Sequence, residues 1–108
     1  MSAGIGTDTG TGMPFGTALA LLKAGRRVAR AGWNGKGMWL CYMPETTIPA
    51  ELVNGRTLQH VSRETLASLG GLKVGGYIVM WTAQGVWQPG WLASQADMLA
   101  NDWCEVDA

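Results

Sequence analysis

The side chains that most often carry nucleophilic or acid–base chemistry are scarce in this chain: one histidine, His60, and two cysteines, Cys41 and Cys104. His60 stands in a polar segment with no neighbouring cysteine and no Gly-x-Ser-x-Gly elbow, which speaks for a surface histidine and against a triad. The two cysteines lie far apart without CxxC or histidine-rich spacing, so they signal neither a zinc site nor a disulfide framework. They are expected to be buried thiols in a reducing compartment. Asp97 and Asp102 remain as an acid–base pair, yet five positions apart on one short helix they would not share a face. Asp97 also follows Ser94 by three residues, where it can serve the helix N-terminus instead. These residues predict no catalytic centre, no metal and no cofactor.

Binding chemistry is better represented. Trp33-Asn34-Gly35-Lys36-Gly37-Met38 combines an aromatic plate, the amide hydrogens of two glycines and a cation on one tight turn, a kit suited to a base and its phosphates. The plain alternative is a hairpin tip with a solvated lysine. The turn is no P-loop, since GxxxxGK[ST] is absent, and no GxGxxG follows a strand. A second segment, Trp91 to Trp103, has a complete structural reading: Ser94 caps, Leu92, Met98 and Leu99 pack, and Trp103 fills the core. Of the six tryptophans, about three or four are needed simply to build the core of so small a domain.

The elements that would position these residues follow from local pattern. Residues 1–13 alternate Gly, Thr and Ser, the composition of a flexible tail, leaving 14–108 as one domain. Pro14 suits a first helical turn; Phe15, Ala18, Leu19 and Leu22 share a face, and Gly25 stops the helix, which predicts Pro14 to Ala24. Residues 27–31 alternate large polar with small apolar side chains and lead into Asn34-Gly35, the strongest short hairpin signal. Met38 to Met43 returns as a strand apolar on both sides, so both sides are expected to be covered, the second by another subunit's surface. Residues 44–76 read poorly, apart from a short helix from Arg63 to Leu69 between Ser62 and Gly70. Tyr77 to Trp81 is a strand, Ala83-Gln84-Gly85 a turn, and Val86-Trp87 begins a partner strand ended by Pro89-Gly90. Ser94 caps a helix from Gln95 to about Asn101, and Trp103 to Val106 is a closing strand. The predicted fold is a single small α+β domain, mainly an antiparallel sheet, with an N-terminal helix and a short C-terminal helix.

Charge narrows the partners. Eight Lys plus Arg balance eight Asp plus Glu, which leaves no net positive field for a DNA or RNA polymer. The charges are unevenly placed: Lys23, Arg26, Arg27, Arg30 and Lys36 crowd one stretch, and Asp97, Asp102, Glu105 and Asp107 crowd another. No basic start with a long apolar run marks a signal peptide, and no apolar stretch nears the roughly 20 residues of a membrane helix. A soluble, cytoplasmic protein without membrane contact is expected.

Taken together, three stretches carry a resemblance. They are Phe15-Gly16-x-Ala18-Leu19; Val28-Ala29-Arg30-x-Gly32-Trp33-Asn34-Gly35-Lys36-Gly37-Met38; and Trp91-Leu92-Ala93-Ser94-Gln95-x-Asp97-Met98-Leu99-Ala100-x-Asp102-Trp103. In order and content the chain resembles the phage Thoeris anti-defence family of the second type, over 14–43 and 77–106. The resemblance implies a phage- or prophage-encoded inhibitor that sequesters, without cleaving it, the glycocyclic ADP-ribose signal made by bacterial TIR proteins. It further implies homo-oligomers, commonly tetramers, with ligand sites at subunit junctions, and separate sites for cyclic oligonucleotides of the CBASS defence. The ligand site is then expected at Arg30, Trp33, Asn34, Gly35, Lys36, Gly37 and Met38, with Ser94, Gln95 and Asp97 from the second segment. Trp33 would face the adenine or brace the turn, Lys36 and the amides of Gly35 and Gly37 would meet pyrophosphate, and Asp97 would accept from a ribose hydroxyl or the base. A nucleotide-processing enzyme and a structural or interaction module of a phage particle are the competing readings.

Overall fold

The computed structural model describes residues 12–33 and 36–107. The tail before residue 12, and Asn34 and Gly35 of the expected ligand turn, lie outside the described residues. In chain order the elements are helix α1 (Phe15–Lys23), strands β1 (Arg27–Arg30), β2 (Trp39–Met43) and β3 (Thr46–Ile48), and a 3-10 turn (Ala50–Leu52). Helices α2 (Gly55–Leu58) and α3 (Arg63–Ser68) follow, then β4 (Leu72–Val74), β5 (Tyr77–Trp81), β6 (Trp87–Pro89), α4 (Gln95–Leu99) and β7 (Trp103–Val106). This is the α+β class with a mainly antiparallel sheet. The chain forms two compact units, one from the residues up to Met43 together with Tyr77 onward, the other from Pro44–Gly76.

In the first unit Pro14 occupies the helix N-cap, and its carbonyl accepts from the amides of Thr17 and Ala18. Ala18 and Leu22, one turn apart, are the face of α1 that is fully buried. The helix ends at Ala24, and Gly25 takes the left-handed φ of +88° that leaves a helix without a Cβ penalty. The sheet runs β6-β5-β2-β1-β7, with every neighbouring pair antiparallel. Registers Val28↔Leu40, Leu40↔Met80 and Arg30↔Trp103 fix which side chains share a face. Val28, Leu40 and Trp103 sit under α1 with Ala18 and Leu22 in one buried cluster, joined at its margin by Tyr42, Ile78 and Met80.

Met13 belongs to this unit and not to a tail. Its N–H donates to the Trp103 carbonyl at 2.8 Å, the Trp103 N–H donates back at 3.1 Å, and its side chain packs on the core. β1 and β2 pair antiparallel as the expected hairpin requires, their connection spans residues 31–38, and β2 begins at Trp39, one residue after the expected Met38. The Asn34-Gly35 turn itself lies outside the described residues. Helix α4 stops at Leu99, short of Asn101. On β2, Leu40 is fully buried, whereas Trp39 and Cys41 on the opposite face are half-buried and Met43 is exposed. Among the described residues the expected cover on both sides is therefore incomplete.

The second unit has its own small core. β3 pairs with β4 through Thr46↔Val74 and Ile48↔Leu72. Asn54 and Ser62 cap α2 and α3 by accepting from the N–H groups of Thr57 and Thr65. Ala50, Val53 and Leu66 are buried, flanked by Ile48, Leu58, Val61 and Leu72. Among the described residues no helix is long and apolar enough to cross a membrane.

Candidate functional site

The site-bearing residues concentrate where β1 leaves the sheet. A cleft of about 440 Å³ opens there, floored by Ala29, Arg30 and Ala31 and walled by Trp39 and Val106. Trp33, Lys36, Gly37 and Met38 of the β1–β2 connection complete its lining. Gly37 holds φ at +75°, a conformation that favours glycine, so the residue after Lys36 has its reason in the backbone. Lys36 is exposed and has no ion-pair partner among the described residues.

Behind the cleft, the guanidinium of Arg30 joins two carboxylates. Its Nε donates to Asp102 Oδ1 and its Nη1 to Asp97 Oδ1, each at 2.9 Å. The expectation that Asp97 and Asp102 stand apart fails, because Asp102 lies beyond the end of α4, at the entry to β7, and is not bound by helical spacing. They do not form an acid–base pair, since Arg30 sits between them as a shared cation. Burial pushes both carboxyls up, but the donors outweigh it: Arg30, Ser94 and Trp33 hold Asp97 below the usual carboxylate range, and Arg30 and the Gly32 N–H do the same for Asp102. Hydrogen bonds to Asp102 and Asp97 raise the Arg30 value in turn.

Asp97 is fully engaged by protein donors. Oδ1 also accepts from Trp33 Nε1 at 3.3 Å, and Oδ2 accepts from the Ser94 N–H and hydroxyl at 3.1 and 2.9 Å. Ser94 Oγ accepts in return from the Asp97 N–H at 3.0 Å, completing a capping box on α4. Ser94, Gln95 and Asp97 do not line the cleft. The lone pairs of Asp97, expected as an acceptor for ribose or base, already have protein partners in Arg30, Trp33 and Ser94. The Trp33 ring meets Trp91 and Trp103 edge-on at 6.4 and 5.4 Å and also lines the cleft.

Sequence reasoning missed Trp39. It stacks on Trp81 at 5.8 Å and 17°, and the Arg27 guanidinium lies 4.5 Å from its ring centroid, so an aromatic–cationic wall borders the cleft. The Trp39↔Trp81 register creates this pair, and nothing local in the sequence announces it. Arg27 Nε is buried without a hydrogen-bond partner among the described residues, while its Nη2 donates to the Asp107 carbonyl. The thiols of Cys41 and Cys104 are free, half-buried rather than buried as expected, and pushed up by desolvation. Among the described residues no cluster of His, Cys, Asp and Glu could hold a metal ion.

Comparison with known proteins decides the family. The Thoeris anti-defense 2-like domain matches residues 13–106, which includes both units and the whole cleft. The chain belongs to the Thoeris anti-defense 2-like family. Thoeris anti-defense 2 of Bacillus phage SP01 is 33% identical over 93 residues, 86% of this chain and 93% of the phage protein. The family match begins at Met13, the residue that pairs with Trp103, and takes in the middle unit, which the sequence patterns left unread.

Proposed function

We propose that this member of the Thoeris anti-defense 2-like family inhibits Thoeris defence by capturing an intact glycocyclic ADP-ribose signal in the cleft beside β1. The observation that carries the reading is the cleft itself, which brings together an aromatic wall, the exposed Lys36 and the backbone of Gly37. Its size falls in the ordinary range of about 300–1,000 Å³ for small-molecule sites. A sponge must hold its signal at roughly nanomolar affinity, about −12 kcal/mol. Each base–aromatic contact supplies about 1–3 kcal/mol and each charge-assisted phosphate contact about 1.5–3 kcal/mol. A single open cleft falls short of that sum, which favours closure of the site by a second copy.

The sheet face opposite α1 is the surface for that closure. Trp39, Cys41 and Met43 of β2 lie on it with Tyr77 and Trp81 of β5, all left partly or wholly exposed. The assembly is a homo-oligomer, tetramer preferred, acting in the host cytoplasm, and it also holds cyclic oligonucleotides of the CBASS type. Carboxylates committed to Arg30 support capture without cleavage.

One experiment tests the reading. The protein is titrated calorimetrically with glycocyclic ADP-ribose and with a panel of cyclic dinucleotides, then heated, and the supernatant is analysed. Tight binding with the ligand returned intact is expected. A hydrolysed product overturns capture in favour of a nucleotide-processing enzyme, and no binding favours a phage structural or interaction module. Light scattering on the same sample showing only an 11.5 kDa species would remove the oligomer.

A further inference from the structure

Arg30, Ala31 and Trp33 line the cleft where β1 runs into the β1–β2 connection, so whatever fixes residues 30–32 sets that side of the cleft. Three consecutive residues there donate to one residue. Arg30 Nε reaches Asp102 Oδ1 at 2.9 Å, the Ala31 N–H reaches the Asp102 carbonyl at 3.0 Å, and the Gly32 N–H reaches Asp102 Oδ2 at 2.8 Å. The approach at Gly32 is so close that a Cβ there would stand 2.8 Å from Oδ2, inside the distance real Cβ atoms keep. Gly32 has no left-handed φ to explain it, so contact with Asp102 is the physical reason for a glycine at this position.

We infer that Asp102 is a positioning residue for ligand capture: its carboxylate clamps Arg30 and Gly32 and so holds Arg30, Ala31 and Trp33 in place along the cleft. Asp102 does not itself line the cleft, and its role rests on the proposed capture function. Both carboxylate oxygens take part, one to each donor. An amide at this position turns an N–H group toward one of two donors and breaks half of the clamp. A methyl at Gly32 attacks the same contact from the other side without removing a charge.

The test is a mutant cycle read by titration with glycocyclic ADP-ribose, using the wild type, Asp102→Asn, Asp102→Ala, Gly32→Ala and the double variant Gly32→Ala with Asp102→Ala. Asp102→Asn and Gly32→Ala are each expected to weaken binding about tenfold or more. In the Asp102→Ala background Gly32→Ala should cost less than about twofold further, because the atom its methyl would strike is gone. Melting curves run beside each titration. A merely structural role would lower the melting temperature and leave affinity and the coupling untouched. If Asp102→Asn fails to fold, Gly32→Ala, at an exposed position, carries the test. Wild-type binding with unchanged affinity in folded Gly32→Ala, or an equal cost of that change in both backgrounds, overturns the positioning role and leaves capture standing. A wild type that does not bind overturns capture, and the positioning role with it.

Discussion

Lys36 is where binding and folding separate most cleanly. Its side chain is exposed at the cleft and joins no ion pair among the described residues, so Lys36→Ala should change stability by less than about 0.5 kcal/mol. If the ammonium meets phosphate, the same change costs about 1.5–3 kcal/mol of binding, more than tenfold in Kd, while salt weakens the wild type more steeply than the variant. Equal affinity would move the anion contact to Arg27, since Arg30 is already matched by two carboxylates. Asp97 makes the opposite kind of prediction. Its carboxyl is held below the usual range in the folded state, so its contribution is complete above the unfolded value of roughly 3.9 and is lost as pH falls through the lower folded value. Asp97→Asn should therefore lower the melting temperature at pH 7 and flatten the loss of stability on acidification below about pH 3.9, measured by thermal melts across the acid limb. A variant parallel to wild type through the acid limb would show that Asp97 is not the titrating brace. Half of this residue was legible in sequence. The Ser94–Asp97 capping box needs only three-residue spacing, whereas Arg30 and Trp33 lie 67 and 64 positions away and reach it only through the fold.

Strands and caps were written plainly where the pattern is local. Tyr77–Trp81 and Trp103–Val106 occupy the predicted spans, α1 and its Gly25 stop follow from one apolar face, and Ser62 caps α3 as its spacing requires. The β1–β2 pairing was legible from the strand-like runs on either side of Asn34-Gly35, but the strand ends were not: β1 stops at Arg30 and β2 starts at Trp39, one residue inside each expected bound. Met13 was misassigned for a related reason: composition alone cannot show that a Gly- and Thr-rich stretch ends in a backbone pair with Trp103. That pair predicts a sharp boundary. Removing residues 1–11 should leave the melting temperature nearly unchanged, as their side chains offer little to bury. Removing 1–13 takes away two backbone hydrogen bonds and a packed methionine, a loss of about 2–4 kcal/mol. The longer deletion should melt at least 8 °C lower, taking roughly 4–8 °C per kcal/mol. Identical melting of the two truncations would return Met13 to the tail.

At the scale of the whole chain, the sequence indicated the fold class through its strands but not that Pro44–Gly76 forms a unit of its own. That core rests on Ala50, Val53 and Leu66, spread among Pro49, Asn54-Gly55 and Gly70-Gly71, and no run of periodic residues joins them. The register at its borders has a further consequence. Met43 and Tyr77, the residues just outside the unit, are direct partners in the β2–β5 pair. The unit therefore leaves and re-enters the sheet at adjacent backbone positions, as the tip of an ordinary hairpin does. A synthetic chain joining Met43 to Tyr77 through Asn-Gly should still form the five-stranded sheet, with a shorter loop to close and faster refolding. Far-ultraviolet circular dichroism and stopped-flow refolding would report it, and an unfolded chimera would show that the unit is required to build the sheet. The middle of the protein is, in engineering terms, a detachable cartridge: a position at which natural or laboratory recombination can exchange one module for another without redrawing the strands around it.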